Sequence, residues 1–336
     1  MRLVRIVRRV VLALPVALGV AVVAFFSLHL LPGDPVQIML GDTNTSAAQI
    51  QAMQHQLHLD QPLHVQLAFF FDGLVHGNLG TSIVQHRSVA AMIGEALPAT
   101  IELTAATLVV AIAIALPLGL LSAIKPGSWV DRTVLSTSLL GASMPAFWFG
   151  LLLILFLAVD ARMLPTSGRI DSVIGLQPVT GFMVVDSLLA RDWGALLSVL
   201  RHLIMPALTL GVVFAAVLAR TVRASMIDAM RRQYITPARA KGVSEAAVIV
   251  KHALRNALIP AVTVAGLQLG ELLGGTMIVE SVFAWPGVGR LVVSSIFAKD
   301  YVVVQAAVML YAITYVLANL IVDIAYTWLD PQMELA

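Results

Sequence analysis

YITPARAKGVSEAAVIVKHALRNALIP, residues 234–260, lies between two long apolar runs, and its reading decides what kind of molecule this is. The stretch carries Arg239, Lys241, Lys251 and Arg255 against one acid, Glu245, with Gly242 set beside the small residues Ala238 and Ala240. Small residues let another backbone come close, and glycine turns the chain without a Cβ penalty. Ser244 can cap a new helix running amphipathically towards Asn256. A short exposed helix beside a glycine turn suits insertion into the groove of another protein. The same residues also satisfy a plainer demand, because basic loops gather on the cytoplasmic side of a membrane. Physics alone leaves these two readings level.

Outside this segment the chain is strongly apolar. Of 336 residues 59% are hydrophobic and 12% charged, with a mean hydropathy of +0.91. Soluble domains carry about a quarter charged residues, so this chain belongs in a bilayer, and its apolar runs spread over almost the whole length as one polytopic unit. A net charge of +2 gives no reason to expect nucleic acid as a partner. Zero cysteines remove disulfides, thiolate nucleophiles and cysteine metal ligands together.

An α-helix crosses a hydrocarbon core of about 30 Å with about 20 residues at roughly 1.5 Å each. Six runs meet that length: 10–31, 100–124, 134–159, 203–220, 259–283 and 302–328. The first exceeds the apolar core of a secretory signal and is followed by LPGDP, so it reads as a retained anchor. Lys and Arg set the orientation. Arg2, Arg5, Arg8 and Arg9, then Lys125 and Arg132, then eight between Arg220 and Arg255 lie on one side. Arg87, Arg162, Arg169, Arg191, Arg201, Arg290 and Lys299 lie on the other. The richer side is cytoplasmic. Residues 1–9 and 329–336 are then cytoplasmic termini, 32–99 an external segment, and 100–328 a five-helix core containing a cytoplasmic loop over 221–256. In the external segment Thr45 or Ser46 can cap a helix through Ile50, Met53 and Leu57 that Pro62 ends. A second helix is predicted over 65–75, until Gly77, Asn78 and Gly80 impose a turn. In the cytoplasmic loop a helix continuing from the fourth run carries Arg220, Arg223, Arg231 and Arg232 out of the membrane, and Pro237 interrupts it.

Further stretches sharpen the reading. ARAKG at 238–242 is followed by HALRNALIP at 252–260. LPGDPV (31–36), LHLDQPL (57–63), LPATIELT (97–104), SMPAFWFG (143–150), LPTSGR (164–169), FAWPGVGR (283–290) and LDPQ (329–332) accompany them in order. With these motifs the chain resembles the permease subunits of bacterial ATP-binding-cassette importers, in particular the B-type subunit of the dipeptide, oligopeptide and nickel branch. Ile235, Thr236 and Pro237 stand where the general permease motif begins Glu-Ala-Ala, and Arg255 where many permeases carry proline. The resemblance implies an all-α membrane protein, with six transmembrane helices in the type I importer permease fold. It implies that Ala238, Arg239, Ala240, Lys241, Gly242, Ser244 and Glu245 couple the chain to an ATPase. It further implies a homologous C-type permease, two ATP-binding subunits and an extracytoplasmic substrate-binding protein as partners, in the bacterial inner membrane. No cofactor is expected in this chain; ATP and Mg2+ would be bound by the partner ATPases. The cargo implied is a peptide, with nickel or another small solute as the alternative within the branch.

The chain's own motifs agree with a transport role. It contains no G-x-x-x-x-G-K-[ST] phosphate loop, and neither H-E-x-x-H nor G-x-S-x-G. Gln268, Glu271 and Gly275 fall on one side of the fifth run and could line a substrate path, or pair with polar groups on another helix. An ion-coupled secondary transporter would use intramembrane carboxylates such as Glu271 and Asp323 and is the reading from another class. Asn319 and Asp323 share a face suited to interhelical hydrogen bonding. Gly266, Gly270 and Gly274 form a small face for close helix packing. Pro117 and Pro145 permit kinks. His55, His58 and His64 read as polar residues of a solvated segment rather than metal ligands.

Overall fold

The computed structural model describes residues 15, 16, 18–26, 51, 55 and 60–329. Among them the backbone is mainly helical, apart from an irregular stretch over 161–182, with a single bridge, Thr81 to Ser88, outside the helices. Hydrocarbon demands this, since no water is there to bond an unpaired N–H or C=O. The helix predicted in the external segment is α1 (Leu63–Val75). It ends where Gly77 and Gly80 take φ of 71° and 86°, and Asn78 Oδ1 accepts from the Gly80 N–H at 3.0 Å. The capping residues Thr45 and Ser46, with Ile50, Met53, Leu57 and His58, lie outside the described residues.

The spans are longer or more broken than hydropathy marks them. α2 (Val89–Ile124) begins 11 residues before the apolar run and passes through Pro98 and Pro117 without a break. The third run is two helices, α3 (Trp129–Ser143) and α4 (Ala146–Leu153), the latter continued by wide π turns over Ile154–Asp160, with a 101° bend between the pair. Pro145 causes it: proline lacks the N–H and holds Met144 extended, at φ −83° and ψ 130°. After α5 (Met183–Leu189) comes α6 (Trp193–Arg231), 39 residues that overshoot the predicted 203–220 at both ends. Hydropathy missed its N-terminal end because Ser198, Arg201 and His202 dilute the apolar signal.

Helix α6 is the central element: 67% of its apolar window is buried, against 22–33% in the other long spans. It packs along α2 through small residues. A Cβ on Gly211 would stand 2.5 Å from Val110 Cγ1, and one on Gly119 2.8 Å from the Ala219 carbonyl, so only glycine permits this approach. Ala111, Ala115, Ala215 and Ala219 fill the same seam.

On the far side of α6 come α7 (Ile235–Ala240), α8 (Glu245–Ala247), π turns over Val248–Ala253, and α9 (Leu254–Gly275), so the fifth span starts before the predicted residue 259. It breaks at Thr276 into α10 (Met277–Val282). Then come α11 (Val288–Phe297) and α12 (Tyr301–Leu329). Gly270 of the predicted small face meets Tyr315 of α12 closely. Residues 18–26 of the first run are helical, and Ala24 accepts from Gln305 of α12 at 3.1 Å. Among the described residues four helices and the bent pair are long and apolar enough to cross a membrane, as the all-α membrane fold requires, and part of the first predicted run, 10–31, lies outside those residues.

Candidate coupling segment and polar knot

At one end of the bundle the ARAKG stretch forms a compact projecting unit. α6 stops at Arg231 and an extended Arg232, not at Pro237 as the sequence suggested. Pro237 sits inside the first turn of α7, where its missing N–H has no helical acceptor to lose. Ile235 is buried among Val248, Ala253 and Met226, which anchors α7 and accounts for a large apolar residue at that place. Lys241, Gly242 and Val243 donate to the carbonyls of Pro237, Arg239 and Ala238 and close the helix. Gly242 takes φ 76°, a left-handed conformation that suits glycine. Ser244 holds the expected cap position with an extended backbone, but its side chain makes no capping bond.

Across this turn Arg239 donates to Glu245, Nε at 3.0 Å and Nη2 at 2.5 Å, one nitrogen to each carboxylate oxygen. Six of the seven residues picked from the sequence, Arg239, Ala240, Lys241, Gly242, Ser244 and Glu245, are exposed here, while Ala238 is half-buried. The structure therefore brings the predicted coupling residues onto one compact, basic, solvent-facing knuckle.

A second feature at this end was not foreseen from sequence. Asp131 is buried at the start of α3, and Arg223 of α6 donates to both its oxygens, at 2.5 and 2.8 Å. Ser122 and the Gly127 N–H also donate to it. The carboxylate thus ties the α2–α3 connection to α6 just inside the projecting unit.

The opposite end holds a larger polar knot, in which three of the motif stretches meet. From LPATIELT, Glu102 receives Arg169 of LPTSGR, and its other oxygen accepts from the Val184 N–H at 2.7 Å. Trp285 of FAWPGVGR lies under the Arg169 guanidinium at 5.7 Å and donates its indole N–H to the Ala99 carbonyl. Thr100 donates to Glu280 and accepts from the Val288 N–H, while the Arg290 N–H donates to Glu280. Glu280 has no solvent exposure, and a Cβ on Gly287 would overlap its carboxylate. Nearby, Ser82 donates to the buried Asp300 and fastens the start of the core to α12. Asp186 of α5 is held alike. Burial pushes its carboxyl up, but bonds from Thr180, Val179 and Gly181 outweigh that and leave it below the usual carboxylate range.

Of the residues picked for a substrate path, only the side chain of Gln268 is among those described. Gln268 is buried and donates to the Phe214 carbonyl of α6 at 3.4 Å. Glu271 and Gly275 follow it on α9, and the surroundings of both lie outside what is described, as does the side chain of Asp323. No group of three or more His, Asp or Glu placed to hold a metal occurs among the described residues.

Comparison with known proteins gives a consistent picture. Residues 115–335 match the family described as binding-protein-dependent transport system inner membrane component, and residues 2–104 match the N-terminal model of such membrane components. The chain is 42% identical over 329 residues to the di/tripeptide transport system permease protein DppB of Pseudomonas aeruginosa, covering 98% of each chain. It is 38% identical over 332 residues to the dipeptide transport system permease protein DppB of Escherichia coli K12, again covering 98% of each. It is 39% identical over 329 residues to the glutathione transport system permease protein GsiC of Salmonella choleraesuis, at the same coverage. By this full-length match and its helical membrane architecture, the chain belongs to the family of binding-protein-dependent transport system inner membrane components.

Proposed function

We propose that this chain is the B-type permease subunit of an ATP-driven importer of short peptides. In this reading it supplies half of a translocation path, a homologous C-type permease supplies the other half, and two ATPase subunits dock on the knuckle from Ile235 to Glu245. An extracytoplasmic binding protein delivers cargo to the opposite end, and ATP with Mg2+ is bound by the ATPases. Both termini and the knuckle are cytoplasmic on the Lys and Arg distribution. The observation that carries the reading is the knuckle itself: an exposed, internally paired, glycine-closed turn whose buried Ile235 and Val248 link it directly to α6 and α9.

The knuckle makes mechanical sense. Moving a two-state transporter from mostly inward to mostly outward takes about 5.5 kcal/mol of differential interaction for a 1:99 to 99:1 shift. A floppy tether would dissipate such a push, whereas a turn packed on two spanning helices passes it on. Short peptides are favoured as cargo because the relatives above are named for di/tripeptides, dipeptides and glutathione, itself a γ-linked tripeptide.

The test combines uptake with topology. The complete importer in proteoliposomes should accumulate a labelled dipeptide only with ATP and binding protein present, and accumulation without ATP would contradict the reading. With no native cysteine, His64→Cys should react with an impermeant thiol reagent in intact cells and Lys241→Cys only after permeabilisation; the reverse pattern would overturn the orientation.

A further inference from the structure

A cavity of about 350 Å³ opens where the inner ends of α2 and α6 meet the coupling unit, with Ile124, Lys125, Met230, Arg231, Glu245 and Ile249 among its walls. Its charge is uneven, and the surrounding ion pairs explain why. Residues 121–133 and 220–256 contain three acids, Asp131, Asp228 and Glu245. Each is taken by an arginine that does not line the cavity: Asp131 by Arg223, Asp228 by Arg232, and Glu245 by Arg239. Lys125 and Arg231 therefore line it with no carboxylate partner among the described residues. Cations at the last turn of a helix complement its dipole, which accounts for their sign. It does not account for an apolar hollow beside them.

A ligand that matches both features has an anion at one end and hydrocarbon at the other, and the cavity sits where the long apolar helices α2 and α6 end. We infer that this cavity binds one anionic phospholipid, with its phosphate between Lys125 and Arg231 and the start of an acyl chain against Ile124, Met230 and Ile249. Glu245 and Ile249 belong to the coupling unit, while the other walls belong to α2, the connection that follows it, and α6. A lipid seated there braces the joint between knuckle and spans, so coupling depends on the lipid. The inference rests on the cytoplasmic placement of this end proposed above.

The experiment uses the complete importer in vesicles of phosphatidylcholine alone or with phosphatidylglycerol, and reads both peptide taken up per ATP and phosphatidylglycerol retained on purification. The parental complex should couple better with phosphatidylglycerol and retain it. Retention should fall roughly 5-fold in Arg231→Gln and roughly 30-fold in the Lys125→Gln/Arg231→Gln double variant, at the affinity a basic residue adds near an anionic surface. Arg232→Gln removes the neighbouring charge but not a wall of the cavity, and should retain the lipid. Equal loss in Arg232→Gln, full retention in the double variant, or restoration of coupling by inorganic phosphate in phosphatidylcholine vesicles would each overturn the site. So would loss of the ATPase subunits from the double variant in both lipids, since the cavity would then be a contact for that partner. Labelling of Lys125→Cys from outside intact cells would instead show that the orientation had failed.

Discussion

Arg169 rests against Glu102, its Nε and Nη2 at 3.0 and 2.5 Å from one carboxylate oxygen, with both side chains only 7% exposed. The pair joins the loop after α4 to α2 across 67 residues of sequence. Taking two charges out of water is expensive, and the attraction between them repays it only when the remaining bonds are made. Here they are: Val184 serves the second carboxylate oxygen and the Trp285 ring covers the guanidinium.

Removing one partner of this pair strands the other as a buried charge. Glu102→Ala should lower stability by about 3–5 kcal/mol, read as thermal unfolding of the purified complex. The double variant Glu102→Leu/Arg169→Met should recover most of the loss. Additive losses in the double variant would show that the two residues act separately.

Asp186 gives a pH dependence whose sign follows from its surroundings. Its carboxyl titrates below the ordinary 3.8, so its contribution is fully present above that value and is lost as pH falls through the lower folded value. The melting temperature of the parental complex should therefore drop on acidification from about pH 5 to pH 2 more steeply than that of Asp186→Asn. Parallel curves would remove Asp186 from the account.

The α9–α12 contact is tight at Gly270, where an added Cβ would lie 2.7 Å from Tyr315 Cδ2. Gly270→Ala should destabilise the complex by about 1–3 kcal/mol through overpacking. Tyr315→Ala in the same chain should relieve it. An unchanged melting temperature in Gly270→Ala would show that the two helices separate freely there.

The apolar cores of the described spans, the helix over 65–75 and the basic turn were legible in the sequence, because each is local, whereas the bounds of α2 and α6 were not, and of the two prolines read as permitting kinks only Pro145 bends the chain. Hydrophobic length, a missing N–H and glycine spacing act within a few residues. The Glu102–Arg169 and Asp131–Arg223 pairs were not legible. LPATIELT, LPTSGR and FAWPGVGR were visible separately, yet nothing local in 97–104 says that its glutamate meets an arginine 67 residues on. The bond from Gln268 to the Phe214 carbonyl of α6 was likewise not legible, because only the packed neighbours decide which way such a side chain turns.

The central claim is that the turn closed by Gly242 transmits the work of ATP, and Gly242→Leu tests it most directly. Within the chain a Cβ there meets nothing within 4 Å, and every Lys and Arg remains, so insertion and orientation should survive. The φ of 76° and the surface offered to a partner are what the leucine disturbs. Peptide taken up per ATP hydrolysed, measured in proteoliposomes with all subunits and binding protein, should fall sharply, with fewer ATPase subunits retained on purification. Gly242→Asn, which tolerates that φ, should keep more of the coupling. A Gly242→Leu complex with full ATPase retention and the parental ratio of peptide to ATP would contradict the account and leave the knuckle as a basic surface loop.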